Sequence, residues 1–173
     1  MPAGAFHSKR MGELAELGFM YRAAGYGIGV AKPYGDSFPY DFLTQHGKRV
    51  LRVQVKSCFT DERNGVNGFN ITVARSRGHG KITYEIGDID FIAAFVAKCE
   101  AWYLVPMELV GRKKSIRLYP KNKRYKNGSG LYERYREAWE LLMDEECREG
   151  SLIKMADRRL GIGACGNNLP ADR

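Results

Sequence analysis

The stretch Pro39–Cys58, PYDFLTQHGKRVLRVQVKSC, decides the fold class. Its two halves, PYDFLTQ and KRVLRVQVKS, alternate apolar with polar residues, and His46 and Gly47 lie between them. That pattern predicts a β-hairpin turning at His46 and Gly47. With those two residues as the turn, Gln45 pairs with Lys48, Asp41 stands opposite Arg52 and Tyr40 opposite Val53. Side chains alternate across a sheet, so one face carries Tyr40, Phe42, Leu51, Val53 and Val55 and wants burial. The other carries Asp41, Arg52, Gln54 and Lys56. A three-residue turn would instead set Asp41 opposite Val53, and an unpaired carboxylate buried among valines is strongly unfavourable.

An acid, a side-chain amide and an ammonium thus converge on one patch of sheet, a combination that suits metal-assisted phosphodiester hydrolysis. A hard cation such as magnesium, for which manganese substitutes, takes oxygen ligands. Asp41 and the amide oxygen of Gln54 can supply two, a backbone carbonyl such as that of Val55 a third, and waters the rest. The ion acidifies a water, and the ammonium of Lys56, on the same face as Gln54, can hold the resulting hydroxide and steady charge on phosphorus. One carboxylate and one amide make a weak magnesium site, so a second acid is needed. Glu13 in the preceding helical segment is the candidate, with Glu16, on the same side of that helix, as its rival.

Working outward, Ser8 is positioned to cap a helix whose stripe is Met11, Leu14, Gly18 and Tyr21, with Ala15 and Phe19 beside it. The glycines from Gly25 to Gly29 end it, and Ile28–Lys32 reads as a short strand. Beyond the polar loop FTDERNGVNG, strands are expected at Phe69–Ala74 and Lys81–Ile86, joined as a hairpin through SRGHG. Two apolar runs, Phe91–Ala97 and Trp102–Val105, read as buried strands. After Pro106 the chain turns basic, in GRKKSIRLYPKNKRYKNGSG. Ser129 then offers a cap for a helix with a core-facing stripe of Leu131, Tyr135, Ala138, Trp139, Leu142 and Met143. Residues 1–147 form the expected domain, and 148–173 a loosely ordered tail or an oligomer contact.

The 173 residues suffice for one domain with a sizeable core. A net charge of +8 points to a polyanionic partner, of which nucleic acid is the commonest. The four cysteines are far apart in sequence and form no CxxC pair, which argues against a zinc site or a disulfide framework. No segment approaches the roughly 20 apolar residues of a membrane span and no signal peptide is evident, so a reduced, cytoplasmic protein is expected. Lys9, Arg10, Arg52, Arg75, Arg77, Lys113, Lys114, Lys123 and Arg124 are the candidate phosphate contacts, which add salt dependence without sequence choice.

Taken in order, MGELAE in the first helix, PYD at the second strand, RVQVKS at the third, then DFIAAF, YLVP and YREAW resemble the PD-(D/E)XK nuclease superfamily. In detail the chain is similar to the bacterial branch that includes the intron-encoded homing endonuclease with this fold. The resemblance implies an α/β architecture with a central mixed β-sheet flanked by helices, restriction-endonuclease-like, and magnesium-dependent DNA cleavage leaving a 5′-phosphate. It makes Asp41 the first motif acid, Lys56 the motif lysine and Glu13 the helix acid. Gln54 departs from the Asp or Glu of the superfamily pattern, a departure the homing branch tolerates. Related enzymes act as dimers or larger assemblies, so a homodimer or homotetramer is expected, with the strand Trp102–Val105 and the tail as candidate contacts. A Holliday junction resolvase shares this chemistry, and a DNA-binding module with lapsed catalysis is the rival from another class. The structural alternatives are an Asp41–Arg52 cross-strand ion pair, an edge-strand role for Lys56 and a helix-dipole role for Glu13.

Overall fold

The computed structural model describes residues 3–35, 37–59, 68–77, 80–85, 87–121 and 130–146. The chain opens with a long helix, α1 (Ala3–Gly25), followed by a short strand β1 (Gly29–Ala31). The hairpin β2 (Phe42–His46) and β3 (Arg49–Cys58) follows, then β4 (Phe69–Thr72) and the small pair β5 (Arg75–Arg77) and β6 (Gly80–Ile82). Next come β7 (Phe91–Val96), β8 (Ala101–Pro106), the single turn α2 (Met107–Val110) and β9 (Ser115–Leu118). Two 3₁₀ turns, Glu133–Tyr135 and Trp139–Leu142, close the described chain. No helix among the described residues is long and apolar enough to cross a membrane.

The central sheet is mixed, in the order β1-β2-β3-β7-β8, with β3 and β7 parallel and every other neighbour antiparallel. Both of its faces are covered. Odd-numbered residues of β3 and β7, among them Val53, Val55, Phe91 and Ala93, share one core with Ala15, Phe19 and Ala23 of α1 and with Trp139. Even-numbered Ile92, Ala94 and Val96 pack the opposite face against Phe69, Ile71, Ile116 and Leu118 of the β4–β9 ribbon. Burial on both sides is why β7 and β8 read as unbroken apolar runs rather than as alternation. α1 and the chain around Trp139 thus flank one face, and a two-stranded ribbon the other.

Several local expectations are revised. The helix begins at Ala3, ahead of Ser8, so Ser8 is inside it rather than at its cap. Its buried stripe is Ala15, Phe19 and Ala23, four apart, while Leu14, Leu17 and Tyr21 are exposed. The hairpin turns at Gly47–Lys48, one residue later than expected, pairing His46 with Arg49 and Phe42 with Val53. Gly47 has φ +58°, at the first loop position, where a type II′ turn calls for glycine. An added Cβ there would meet Asp144 Oδ2 at 2.7 Å, and the same oxygen accepts from the Lys48 N–H at 3.1 Å. The pairing moves by two residues, so side chains in β2 and β3 keep their predicted faces, and Asp41, just before β2, bonds through its N–H to Val53 O instead of standing opposite Arg52. Tyr40, outside the strand, packs against the core opposite to that of Phe42.

The strand at 69–74 is not hairpinned with 81–86. β4 pairs with β9, drawn from the basic stretch, and β5 pairs with β6. Residues 131–143 form no α-helix. Glu137 has φ +52° and its N–H donates to Trp102 O at 2.8 Å, while its carboxylate accepts from Trp102 N at 2.8 Å, Trp139 Nε1 at 3.0 Å and Arg22 at 2.7 Å. Together with the Tyr103–Arg136 bridge, these contacts lay the chain along β8. Tertiary hydrogen bonds to an otherwise open strand outweigh helix propensity there. Arg136 and Glu137 therefore cover the edge of β8 at Trp102 and Tyr103. The expected tail, 148–173, lies outside the described residues, as do Cys147 and Ser129.

Candidate active site

Asp41 is the last residue before β2, and its N–H donates to Val53 O at 3.0 Å, which pins the carboxylate beside β3. Its Oδ2 accepts from the backbone N–H of Val55 at 2.8 Å and from the amide Nε2 of Gln54. The same Gln54 nitrogen reaches the Val55 carbonyl at 3.4 Å. A carboxylate, a backbone carbonyl and a buried amide therefore meet at one point on the face that holds the β4–β9 core. Turned over, the amide presents Oε1 to the same point. Burial pushes the Asp41 carboxyl up from its ordinary value, against the Val55 hydrogen bond and the Lys56 charge, with the charge of Glu16 adding to the rise.

Lys56 is on that face two residues beyond Gln54, paired with Ala94 of β7. β2 pairs with β3 only from Arg49 to Val53, so the stretch of β3 that carries Lys56 is bonded to β7 alone, which leaves its other side open towards Asp41. Burial lowers the Lys56 pKa, and the opposing charges of Asp41 and Glu16 raise it. The helix acid that acts on both is thus Glu16. It is half-buried and receives Lys32 Nζ at 2.6 Å, whereas Glu13 is exposed. Spacing along the helix alone could not separate two acids three residues apart; the rotation of α1 fixed by Ala15, Phe19 and Ala23 does.

Arg52 does not pair with Asp41. Its guanidinium is held by Asp90, with Nη2–Oδ1 at 2.8 Å and Nε–Oδ2 at 3.0 Å, and Nη1 donates to the Gly87 carbonyl. The Asp90 carboxylate also caps the Arg52 backbone N–H at 2.7 Å, and Arg52 holds the Asp90 pKa down against burial. Arg52 is thereby committed to joining β3 to the turn before β7. Asp88 caps that turn, accepting from the Glu85 N–H at 3.0 Å.

Of the other candidate phosphate contacts, Lys9, Arg10 and Lys114 are exposed. Lys113 Nζ donates to Leu109 O and to the Tyr132 hydroxyl, both at 3.2 Å. The Arg75 guanidinium lies 5.9 Å from the Tyr84 ring centre and 3.9 Å from Asp88. Lys123, Arg124 and the side chain of Arg77 lie outside the described residues. Tyr84 was missed by sequence reasoning. It is a buried phenol whose pKa rises through burial and then through the charge of Asp41, which places it beside the candidate centre.

The donor set tests the implied metal. Among the described residues no three His, Cys, Asp or Glu side chains gather to hold an ion. Oxygens of Asp41, Val55 and Gln54, with Glu16 near, fit a hard divalent cation that keeps several waters.

Residues 6–142 match the PD-(D/E)XK endonuclease family. No protein of curated function matches the chain. Among solved structures, a bacterial homing endonuclease, I-Ssp6803I, is 30% identical with a TM-score of 0.65, over 84% of this chain and 97% of that one. With the mixed sheet and the Asp41–Gln54–Lys56 constellation in place, the chain belongs to the PD-(D/E)XK endonuclease family.

Proposed function

We propose that the chain is a DNA endonuclease of the homing or restriction-like kind that depends on magnesium, with manganese as a substitute. The observation that carries the reading is the meeting of the Asp41 carboxylate, the Val55 carbonyl and the Gln54 amide at one point, beside Lys56 and Glu16. Asp41, Val55 O and Gln54 Oε1 are the residues that would hold the cation. Glu16, in place of Glu13, is the second acid, because its charge acts on both Asp41 and Lys56. A divalent cation there supplies Lewis-acid polarisation of the phosphodiester and a more acidic water.

The chain's own residues do the rest. Lys56 Nζ orients the attacking water and, as an ammonium, offsets the charge that grows on the phosphoryl oxygens. Its burial, which disfavours the charged form, also readies it to give up a proton. Asp41, held by the Val55 N–H, stays fixed relative to Lys56. Attack opposite the 3′ oxygen leaves a 5′-phosphate. The net charge of +8 favours the polyanionic substrate.

One such site holds one scissile phosphate. A double-strand cut therefore needs two copies about a two-fold axis, which supports a homodimer or homotetramer; light scattering reads the mass directly. The reaction is tested by incubating supercoiled plasmid and four-way junction DNA with the protein in magnesium, manganese or EDTA. Cleavage with either metal and none in EDTA is expected. Preference for the junction would favour a resolvase, and binding without cleavage in either metal would identify a module with lapsed catalysis.

A further inference from the structure

The geometry points to a second phosphate-binding surface, which grips duplex backbone to one side of the scissile phosphate. It rests on the endonuclease reading and adds to it a footprint with a direction. The surface is a cleft of about 1470 Å³ between the start of β3, the β5–β6 pair and the end of α2. Arg49, Arg75, Lys81, Arg112 and Lys114 line it. The acids there are Glu85, Glu108 and Asp90, and Asp90 is already engaged by Arg52. Positive charge therefore prevails in the cleft.

Two of these cations are incompletely satisfied. The Nε atoms of Arg49 and Arg75 are buried and have no hydrogen-bond partner. A buried donor without a partner is unfavourable by about 1–3 kcal/mol, and such groups are uncommon unless a ligand satisfies them. Guanidinium groups present a planar fork that matches phosphate oxygens. An oligoanion fits the cleft better than an apolar ligand does, because five cations line it against three acids, one of them already engaged.

The cleft also has a fixed relation to the candidate active site. Tyr84 lines it and feels the charge of Asp41, and Arg75 lies over the Tyr84 ring, so one end adjoins the scissile position. Arg49, at the start of β3, and Arg112 and Lys114, beyond α2, line the cleft with Tyr84. Phosphate contacts of this kind set register without reading sequence.

The test measures binding of labelled duplexes by fluorescence anisotropy in EDTA from about 50 to 200 mM salt, the range over which phosphate contacts weaken most visibly. One duplex extends well beyond the mapped cut on both sides, and the other ends immediately beyond it. Arg49→Gln with Arg112→Gln is compared with wild type, and thermal melting confirms that the variant is folded. Arg112→Gln with Lys114→Gln, both exposed positions, serves as a second variant. On the long-flank duplex, the variants' affinity should fall across this salt range by about tenfold less than that of wild type, as expected for two lost phosphate contacts. On the short-flank duplex the difference should vanish. An unchanged salt slope in both variants, with wild-type binding and cleavage intact, overturns the cleft assignment and leaves the endonuclease reading standing. An equal change on both duplexes overturns its placement in the flank. A wild-type protein that neither binds nor cuts duplex overturns both.

Discussion

Phe19→Ala probes whether α1 is seated as the structure shows, and with it the placement of Glu16. The Phe19 ring is fully buried, stacked on Phe42 at 5.5 Å and packed against Trp139 and Trp102 at 5.6 and 5.9 Å. Truncating a buried phenylalanine to alanine costs about 3–5 kcal/mol. Three aromatic neighbours place this site towards the upper end, since ring pairs add about 0.5–1.5 kcal/mol beyond burial. Against a total stability of about 5–15 kcal/mol, the loss is large. It corresponds to a melting temperature lower by roughly 10 °C or more for a chain of this size. Urea unfolding followed by tryptophan fluorescence reads it well, because both tryptophans, Trp102 and Trp139, pack on the ring. The midpoint should drop with the slope unchanged. Tyr21→Ala on the exposed side should stay within about 0.5 kcal/mol of wild type. Phe19→Leu, a milder change of about 1–1.5 kcal/mol, should remain folded yet cleave DNA more slowly, because α1 carries Glu16. A loss under about 1 kcal/mol in Phe19→Ala, or an equal loss in Tyr21→Ala, would refute this seating of the helix.

Asp41→Asn should abolish cleavage while raising stability at neutral pH. The folded-state pKa of Asp41 is raised above its ordinary 3.8, so wild type loses stability as pH rises through that folded pKa; the variant avoids the loss, and the two curves should converge as pH falls below 3.8. Denaturant titrations at several pH values check this, and a variant less stable than wild type at pH 7 would contradict it. Glu16→Gln should lower metal-dependent cleavage by about a hundredfold or more, and Glu13→Gln by less than tenfold, in rates measured at saturating DNA; the reverse ranking would return Glu13 to the site. Gln54→Glu should keep cleavage or alter the magnesium-to-manganese preference, since carboxylate and amide oxygens both suit these ions. Complete loss in a folded Gln54→Glu protein would assign the neutral amide a hydrogen-bonding role instead.

The sequence by itself determined the strands that alternate or run apolar. Asp41, Gln54 and Lys56 were legible as one polar face because parity survives a two-residue shift in pairing. The buried strands β7 and β8 were legible because sheet burial on both faces leaves little room for polar residues. Only the tertiary structure decided the rest. Glu13 and Glu16 differ through the rotation of α1, which depends on Ala15 and Phe19 meeting the sheet rather than on helical spacing, available equally to Leu14 and Tyr21. Arg52 looked free to meet Asp41 or DNA until Asp90, 38 residues away, closed on it. The chain from 131 to 143 has a helical stripe, yet Glu137 binds β8, Trp139 and α1 at once and bends it out of the helix. β4 meets β9 across more than 40 residues by the same logic. Local pattern fixes which way side chains point within an element; hydrogen bonds and packing between residues distant in sequence decide what they meet.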